Sequence, residues 1–316
     1  MRERANMNLK SVDLSGIRSL RRVRLDLPPG TTICVTGESG AGKTSVLEAI
    51  LAARSAFVRG GREPEPAAFR GRSGDASVEL TWALEPHEAD GATEFVTTWR
   101  PGGASTELPP RLADRVSATR VHYFDAHRLG PPLPPIAVRS AEDRPPDSRA
   151  EGDRWAPSDR KYAWVERWML ARWDARAAAL SDQVAAQGIA LAERDASPFA
   201  RAIERLCPRA RAGRPVTRRG VRLAGFLRAD GSEPAYAELT TSERMGVLFA
   251  AVLEAAELSS TRSLVLVDTP ELGLHPSEHA AFLAALGELV GDGTIVAATS
   301  SPAILRAMPR ERVIVL

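Results

Sequence analysis

Apolar positions at Val23, Leu25 and Leu27 recur every second residue, the period of a strand with one buried face. Strands are expected over 7–13 and 20–27, then a turn at Pro28-Pro29-Gly30. Residues 31–36, TTICVT, read as a buried β-rich run. The period then changes. Val46, Leu47, Ile50 and Leu51 share one face of a helix expected over 44–57. Residues 59–76 read as loop, 78–84 and 94–99 as a pair of strands, and 120–124 as a further strand. Residues 130–159 are rich in Pro, Asp, Arg and Ser and read as an exposed linker. Over 160–192, Tyr162, Val165, Met169, Trp173, Ala177, Leu180 and Val184 recur at helical spacing. Ser197-Pro198 forms an N-cap and first residue for a helix to Leu206. Residues 219–228 and 234–239 read as strands around Asp230-Gly231. The last quarter alternates: helix 241–256, strand 263–267, helix 276–290, strand 293–298, a short helix from Ser301, strand 312–316. Such alternation predicts a parallel sheet with helical crossovers, an α/β fold.

Composition narrows this a little. With 316 residues, 44% of them apolar, one large domain with insertions or two lobes is expected. No apolar run reaches membrane-span length and no signal-peptide core precedes the first strand, so a cytoplasmic protein with no membrane partner is expected. Cys34 and Cys207, far apart in sequence, read as free thiols. The net charge of +2 says little about partners.

One segment carries chemistry. Gly37-Glu38-Ser39-Gly40-Ala41-Gly42-Lys43-Thr44, followed by Ser45, matches G-x-x-x-x-G-K-[ST] between a buried strand and a helix. Glycines let backbone approach phosphates, and the amides and helix N-terminus favour an anion. Lys43 neutralises β- and γ-phosphate charge, and Thr44 offers its hydroxyl to Mg²⁺. Over 200 residues later, Ser263 to Asp268 is an apolar strand ending in an acid, the Walker B arrangement, whose carboxylate holds the metal shell. That separation is too long for compact kinases or small GTPases and suits a head with a large insertion.

These residues resemble the ABC-type ATPase heads of the RecF, SMC and OLD-like group. Asp268-Thr269-Pro270-Glu271-Leu272-Gly273-Leu274-His275-Pro276 resembles their DEPE…LHP Walker B and D-loop. Leu239-Thr240-Thr241-Ser242-Glu243-Arg244 resembles the LSSGE signature, and Ala298 to Pro302 the TTHSP switch segment. Leu14 to Leu27 is similar to their first strands, and Tyr123 to Arg128 to a YFPxxR segment. Nothing in 140–215 matches a motif. The resemblance implies a P-loop NTPase head in three parts: an N-terminal β-rich lobe (1–139), a linker and helical insertion (140–215) and a C-terminal lobe (216–316). It implies ATP and Mg²⁺ as cofactors and a homodimer that sandwiches ATP, with Ser242 and Glu243 of one head facing the nucleotide of the other. It also implies a separate effector and a role in DNA maintenance or defence against phage. The chain is expected to lack an appended Toprim nuclease domain and long coiled coils.

Four positions depart from that family. Thr269 stands where a Glu activates water, and losing a general base costs about 10²- to 10⁴-fold in rate. Glu271 could substitute, but it already belongs to the family pattern. Ser300 replaces the switch histidine, and Ser242 the signature glycine. No glutamine fills the Q-loop role, for which His122, Asp125 and His127 are the candidates. The expected catalytic set is therefore Lys43, Asp268, Glu271, Thr269 and Ser300, with Thr44 and Asp268 as metal ligands and binding retained while chemistry is weakened. Two readings stand: a slow ATPase switch, and a non-hydrolysing ATP-binding scaffold. A P-loop kinase is disfavoured by the signature and D-loop.

Three further features have two readings each. The arginines from Arg205 to Arg228, with no acidic residue among them, could contact nucleic-acid phosphates or form a solvated face, the favoured reading. Trp155, Trp164, Trp168 and Trp173 cluster in sequence: Trp173 fits the apolar stripe as packing, while Trp164 and Trp168 widen a core face, the favoured reading, or anchor a partner. His275 touches a partner head or is a surface turn residue.

Overall fold

The computed structural model describes residues 8–58, 69, 76–84, 94–101, 103–104, 116, 120–126, 128, 161–162, 164–187, 197–258 and 263–316. Two five-stranded sheets organise them. The first is antiparallel, in the order β2-β1-β4-β5-β6, from β1 (Asn8–Ile17), β2 (Leu20–Asp26), β4 (Ser77–Ala83), β5 (Glu94–Arg100) and β6 (Gly103–Ala104). The second is parallel, in the order β14-β3-β13-β12-β7, from β3 (Thr32–Thr36), β7 (Val121–Phe124), β12 (Leu264–Asp268), β13 (Thr294–Ala298) and β14 (Val313–Val315). The P-loop NTPase expectation of a parallel sheet with helical crossovers is met.

The strand period decides which core each side chain joins. Along β3, β12 and β13 one set, Cys34, Val265, Val267, Ile295 and Ala297, enters one apolar cluster. The alternate set, Ile33, Val35, Leu264, Leu266, Val296 and Ala298, enters the other. Both faces are covered, so these strands read as unbroken apolar runs. Helix α1 (Lys43–Phe57) fills the cluster between the two sheets. The opposite cluster is built by α2 (Trp164–Gln187), α3 (Pro198–Leu206), α4 (Thr241–Ala255) and α5 (His279–Val290). A short helix α6 (Pro302–Ala307), capped by Ser301, precedes β14.

Several expectations are corrected. Strand β1 runs on to Ile17, because Leu14 and Ile17 are wholly buried and the strand pairs on both sides. The stretch read as one strand over 219–228 is two, β10 (Val221–Leu223) and β11 (Phe226–Arg228). They belong to separate hairpins with β9 (Val216–Arg218) and β8 (Ala210–Ala212). Between them, a Cβ on Gly225 would lie 2.0 Å from the Arg214 carbonyl oxygen, so the backbones approach too closely for a side chain. Residues 234–239 are not a strand. After one bridge between Gly225 and Ala235, Tyr236–Glu238 forms a 3-10 turn closed by Glu238 bonding back to the Ala235 amide at 2.7 Å. Helix α5 starts at His279, since Pro276 and Ser277 lie in turns. On α2, Trp164, Val165 and Met169 of the apolar stripe are core, Trp173 is half-buried and Ala177 exposed. Trp164 meets Trp168 edge-on, and Trp168 meets Phe199 of α3 in the same way. The linker over 130–159, most of 59–76, Trp155 and His127 lie outside the described residues.

Candidate functional site

The parallel strands β3, β7, β12 and β13 end at one edge of the sheet, the usual location of a ligand site in such folds. Beyond β3 the chain enters the 37–44 loop, beyond β12 it reaches Asp268-Thr269, and beyond β7 it reaches Asp125 to Arg128. Strand β13 lies between β3 and β12, so Thr299 and Ser300 emerge between the loop and Asp268.

Gly42 caps α1 in the left-handed region at φ 106. A Cβ there would come within 2.7 Å of Leu20 Cδ2 and 2.9 Å of Ser19 Oγ. The outer curve of the loop is open: a Cβ on Gly40 would meet nothing within 4 Å. Glu38 and Ser39 are exposed, and Ala41 donates its amide to the Glu38 carbonyl at 3.1 Å. The Lys43 ammonium lies within the loop, donating to the carbonyls of Gly37 at 2.9 Å and Glu38 at 3.0 Å. Thr44 Oγ1 donates to Asp268 Oδ2 at 2.8 Å, joining residues 224 apart in sequence.

The other Asp268 oxygen, Oδ1, accepts from Thr269 Oγ1 at 3.2 Å. Thr269 is left-handed, at φ 53, where a β-branched residue is an outlier. Glu271 faces the switch segment. Its Oε2 accepts from Thr299 Oγ1 at 2.9 Å and its Oε1 from the Ser300 amide at 3.0 Å. Ser300 itself is exposed.

Ser242 and Glu243 lie at the start of α4. Thr240 caps this helix and Glu243 bonds back to the Thr240 amide at 2.8 Å, a capping box. The same carboxylate takes a forked ion pair from Arg228, at 2.9 and 2.7 Å. That guanidinium is the main reason the Glu243 carboxyl is pushed down to about 2. Among the described residues no hydrogen bond joins either residue to Lys43, Thr44 or Asp268. Ser242 half-faces solvent and, with Leu274 and Ser277, lines a cavity of about 170 Å³. His275 is exposed and bonds Ser277 Oγ at 2.8 Å, closing its own turn.

Of the Q-loop candidates, His122 is buried, its ring 4.6 Å from Phe124. Asp125 forms a buried ion pair with Lys161 at 3.0 Å. Four residues beside the site were given no role from the sequence. Arg18, in the β1–β2 turn, donates to Ser45 Oγ at 3.0 Å and to Glu48 at 2.5 Å. Ser19 donates to the Ala41 carbonyl at 3.3 Å. The Tyr123 phenol is raised well above its ordinary value, first by burial and then by Asp268 and Glu48, and stays a neutral hydroxyl. Arg128 is buried against the carbonyls of Asp268 and Thr269. The only sequence signal was the YFDAHR segment holding Tyr123 and Arg128; the Arg18 contact depends on tertiary docking of a hairpin.

A family model described as an AAA domain matches residues 11–79. A solved SMC head bound to the C-winged helix domain of ScpA superposes with a TM-score of 0.56, at 12% identity, covering 95% of this chain and 92% of that one. The fold is that of the SMC heads, an α/β P-loop fold. A second SMC head, with an extended coiled coil and bound to the C-terminal domain of ScpA derived from Pyrococcus furiosus, matches this head with a TM-score of 0.55, at 12% identity and the same coverage. No curated protein sequence matches the chain. The head has no described helix long and apolar enough to cross a membrane.

The arginine-rich stretch of the head is largely neutralised. Arg205, Arg209, Arg214, Arg218, Arg222 and Arg228 pair with Glu288, Glu278, Glu233, Glu238, Asp174 and Glu243. Every one of those acids lies outside the stretch, which is why the sequence alone shows a basic run.

Proposed function

We propose that this head binds Mg-ATP, pairs with a second copy around the nucleotide, and hydrolyses it slowly in the service of a separate effector protein. The observation that carries the reading is the meeting of Thr44 Oγ1 and Asp268 Oδ2 at 2.8 Å beside the Lys43 ammonium. A hydroxyl and a carboxylate at that spacing suit Mg²⁺, which takes one or two protein oxygens and the phosphates for the rest. The loop is open on its outer curve at Gly40, and successive loop amides favour an anion. When bound, Mg-ATP would supply the phosphoanhydride and a metal ion that offsets the charge on its phosphate oxygens. Lys43 would leave the loop carbonyls for those oxygens, Thr44 and Asp268 would hold the metal, and residues 37–45 would cradle the phosphates. Ser242, at the N-terminus of α4, would meet the partner's γ-phosphate.

Weak hydrolysis follows from three side chains. Thr269 donates its hydroxyl to Asp268 and offers no base near neutral pH. Glu271 has both oxygens on the switch segment, and so holds Thr299 and Ser300 in place. Ser300 can bond a phosphate oxygen but brings no charge. These support a second reading, a non-hydrolysing ATP-binding scaffold. The separate effector is inferred from the solved heads, which carry a domain of another protein; a role in DNA maintenance or phage defence rests on the sequence resemblance alone.

Calorimetry with Mg-ATP tests the core of this. Wild type should bind, and Lys43→Ala should bind about 10- to 100-fold more weakly, the worth of a charged hydrogen-bond donor. Slow turnover abolished by Lys43→Ala supports the switch. No turnover in wild type but turnover in Thr269→Glu supports the scaffold. Brisk wild-type hydrolysis would overturn the assignment of Thr269.

A further inference from the structure

The Asp268–Thr269 peptide is gripped by a cation from another strand. Arg128, just beyond β7, is 3% exposed. Its Nη1 donates to the Asp268 carbonyl at 2.5 Å and to the Asp125 carbonyl at 2.8 Å, and its Nη2 to the Thr269 carbonyl at 2.5 Å. Helix α4 forms the wall behind it: Nε points at Met245 Sδ, 3.2 Å away, and the Phe249 ring lies 5.6 Å from Cζ. One buried guanidinium therefore ties together the C-terminal ends of two neighbouring strands.

The backbone explains why a cation is needed there. Along a strand, successive carbonyls point to opposite sides. Those of Asp268 and Thr269 converge on one guanidinium, and Thr269 sits at φ 53. Converging carbonyl dipoles repel each other, and threonine is a poor residue for left-handed backbone. The same turn is tied by the Thr269 amide to the Ala298 carbonyl at 2.8 Å and by the Leu272 amide to the Thr269 carbonyl at 3.0 Å, and the guanidinium adds its two bonds to the Asp268 and Thr269 carbonyls.

We propose that Arg128 is a positioning residue: by gripping the carbonyls of Asp268 and Thr269 it locks the turn that keeps the Asp268 carboxylate on the Thr44 hydroxyl, and so sets metal affinity at the P-loop. This rests on the Mg-nucleotide reading above. Arg128 spends these donors on backbone carbonyls and acts through Asp268. A lysine in its place keeps the charge but lacks the rigid planar fork that meets three carbonyls at once.

The test uses the full chain, a fluorescent ADP analogue, and Mn²⁺ as the metal probe, read by electron paramagnetic resonance. In Arg128→Lys, Mn²⁺ should bind the nucleotide complex at least tenfold more weakly than in wild type. Metal-free nucleotide affinity should change less than twofold, because the P-loop amides are untouched. Adding Thr269→Gly should restore most of the metal affinity, since glycine adopts left-handed backbone without help. A merely structural role would not be rescued at that one position. Unchanged Mn²⁺ affinity in Arg128→Lys, or failure of Thr269→Gly to restore it, overturns the proposal. Should Arg128→Lys fold only in the double variant, with wild-type metal affinity, the same rescue supports it. Should neither fold, Arg128 serves the fold as a whole and the proposal is wrong. A wild-type chain that binds no nucleotide sinks the functional reading and this proposal with it. A wild-type chain that binds, beside a variant with unaltered metal affinity, sinks the proposal alone.

Discussion

At Thr269 the usual order of residue preferences is inverted. Left-handed backbone costs an L-residue roughly 1–2 kcal/mol, and glycine almost none. Thr269→Ala and Thr269→Gly both lose the hydroxyl bonded to Asp268, so their difference isolates the backbone. Thr269→Gly should be the more stable by about 1 kcal/mol in urea titration, whereas in an ordinary strand end alanine wins. Gly42 shows the same preference where glycine is already in place. Its φ of 106 and the 2.7 Å approach to Leu20 leave no room for a methyl group. Gly42→Ala should lower stability by about 2 kcal/mol, measured in the same way, and weaken nucleotide binding by displacing the hairpin from the loop. The glycine was legible in the sequence because the motif demands it there. The strain at Thr269 was not, since threonine carries no signal for φ and the grip that holds it comes from Arg128, some 140 residues earlier.

The start of α4 is held by an element-level circuit. Glu243 caps its own helix and takes the forked ion pair from Arg228 of β11. Its folded pKa of about 2 lies below the ordinary 4.5, chiefly because of Arg228. The sign follows: the circuit stabilises the fold above the ordinary carboxylate range, and the contribution is lost as pH falls from about 4.5 toward about 2. Glu243→Gln should therefore destabilise the head by about 1–3 kcal/mol at pH 7, the range for charged hydrogen bonds, and by much less at pH 3. Chemical denaturation of both proteins at the two pH values checks it; an equal gap at both would mean that the ion pair contributes nothing. Sequence reading placed α4 and its start correctly, because caps and helical period are local signals. It read Glu243 as facing nucleotide, whereas the structure commits its carboxylate to Arg228 and Thr240. It also showed the arginine run without its partners, because Asp174, Glu278 and Glu288 come from other elements. The 234–239 segment misled for a different reason: a short apolar run carries no sign of the bond from the Ala235 amide to Glu238 that closes its 3-10 turn.

At the scale of the whole molecule, two cores share one parallel sheet, with the P-loop and the start of α4 on separate elements of the same head. The alternation that built this was readable, because each buried strand of that sheet carries β-branched residues and ends in a motif. The proposed pairing of two copies was not readable from that alternation, because an interface between copies leaves no period in a sequence. Ser242 offers a way to separate fold from assembly. It is half-exposed at the N-terminus of α4, where the helix favours negative charge. Ser242→Glu should thus stabilise the isolated head by about 0.3–1 kcal/mol. In the proposed ATP sandwich the same carboxylate would oppose the partner's γ-phosphate, like charge against like in a water-poor interface. Sedimentation should then show wild type doubling in mass with Mg-ATP while Ser242→Glu stays monomeric, with nucleotide affinity of the monomer unchanged. A variant that is more stable yet still pairs would place α4 away from the interface, because no loss of folding could then explain the result.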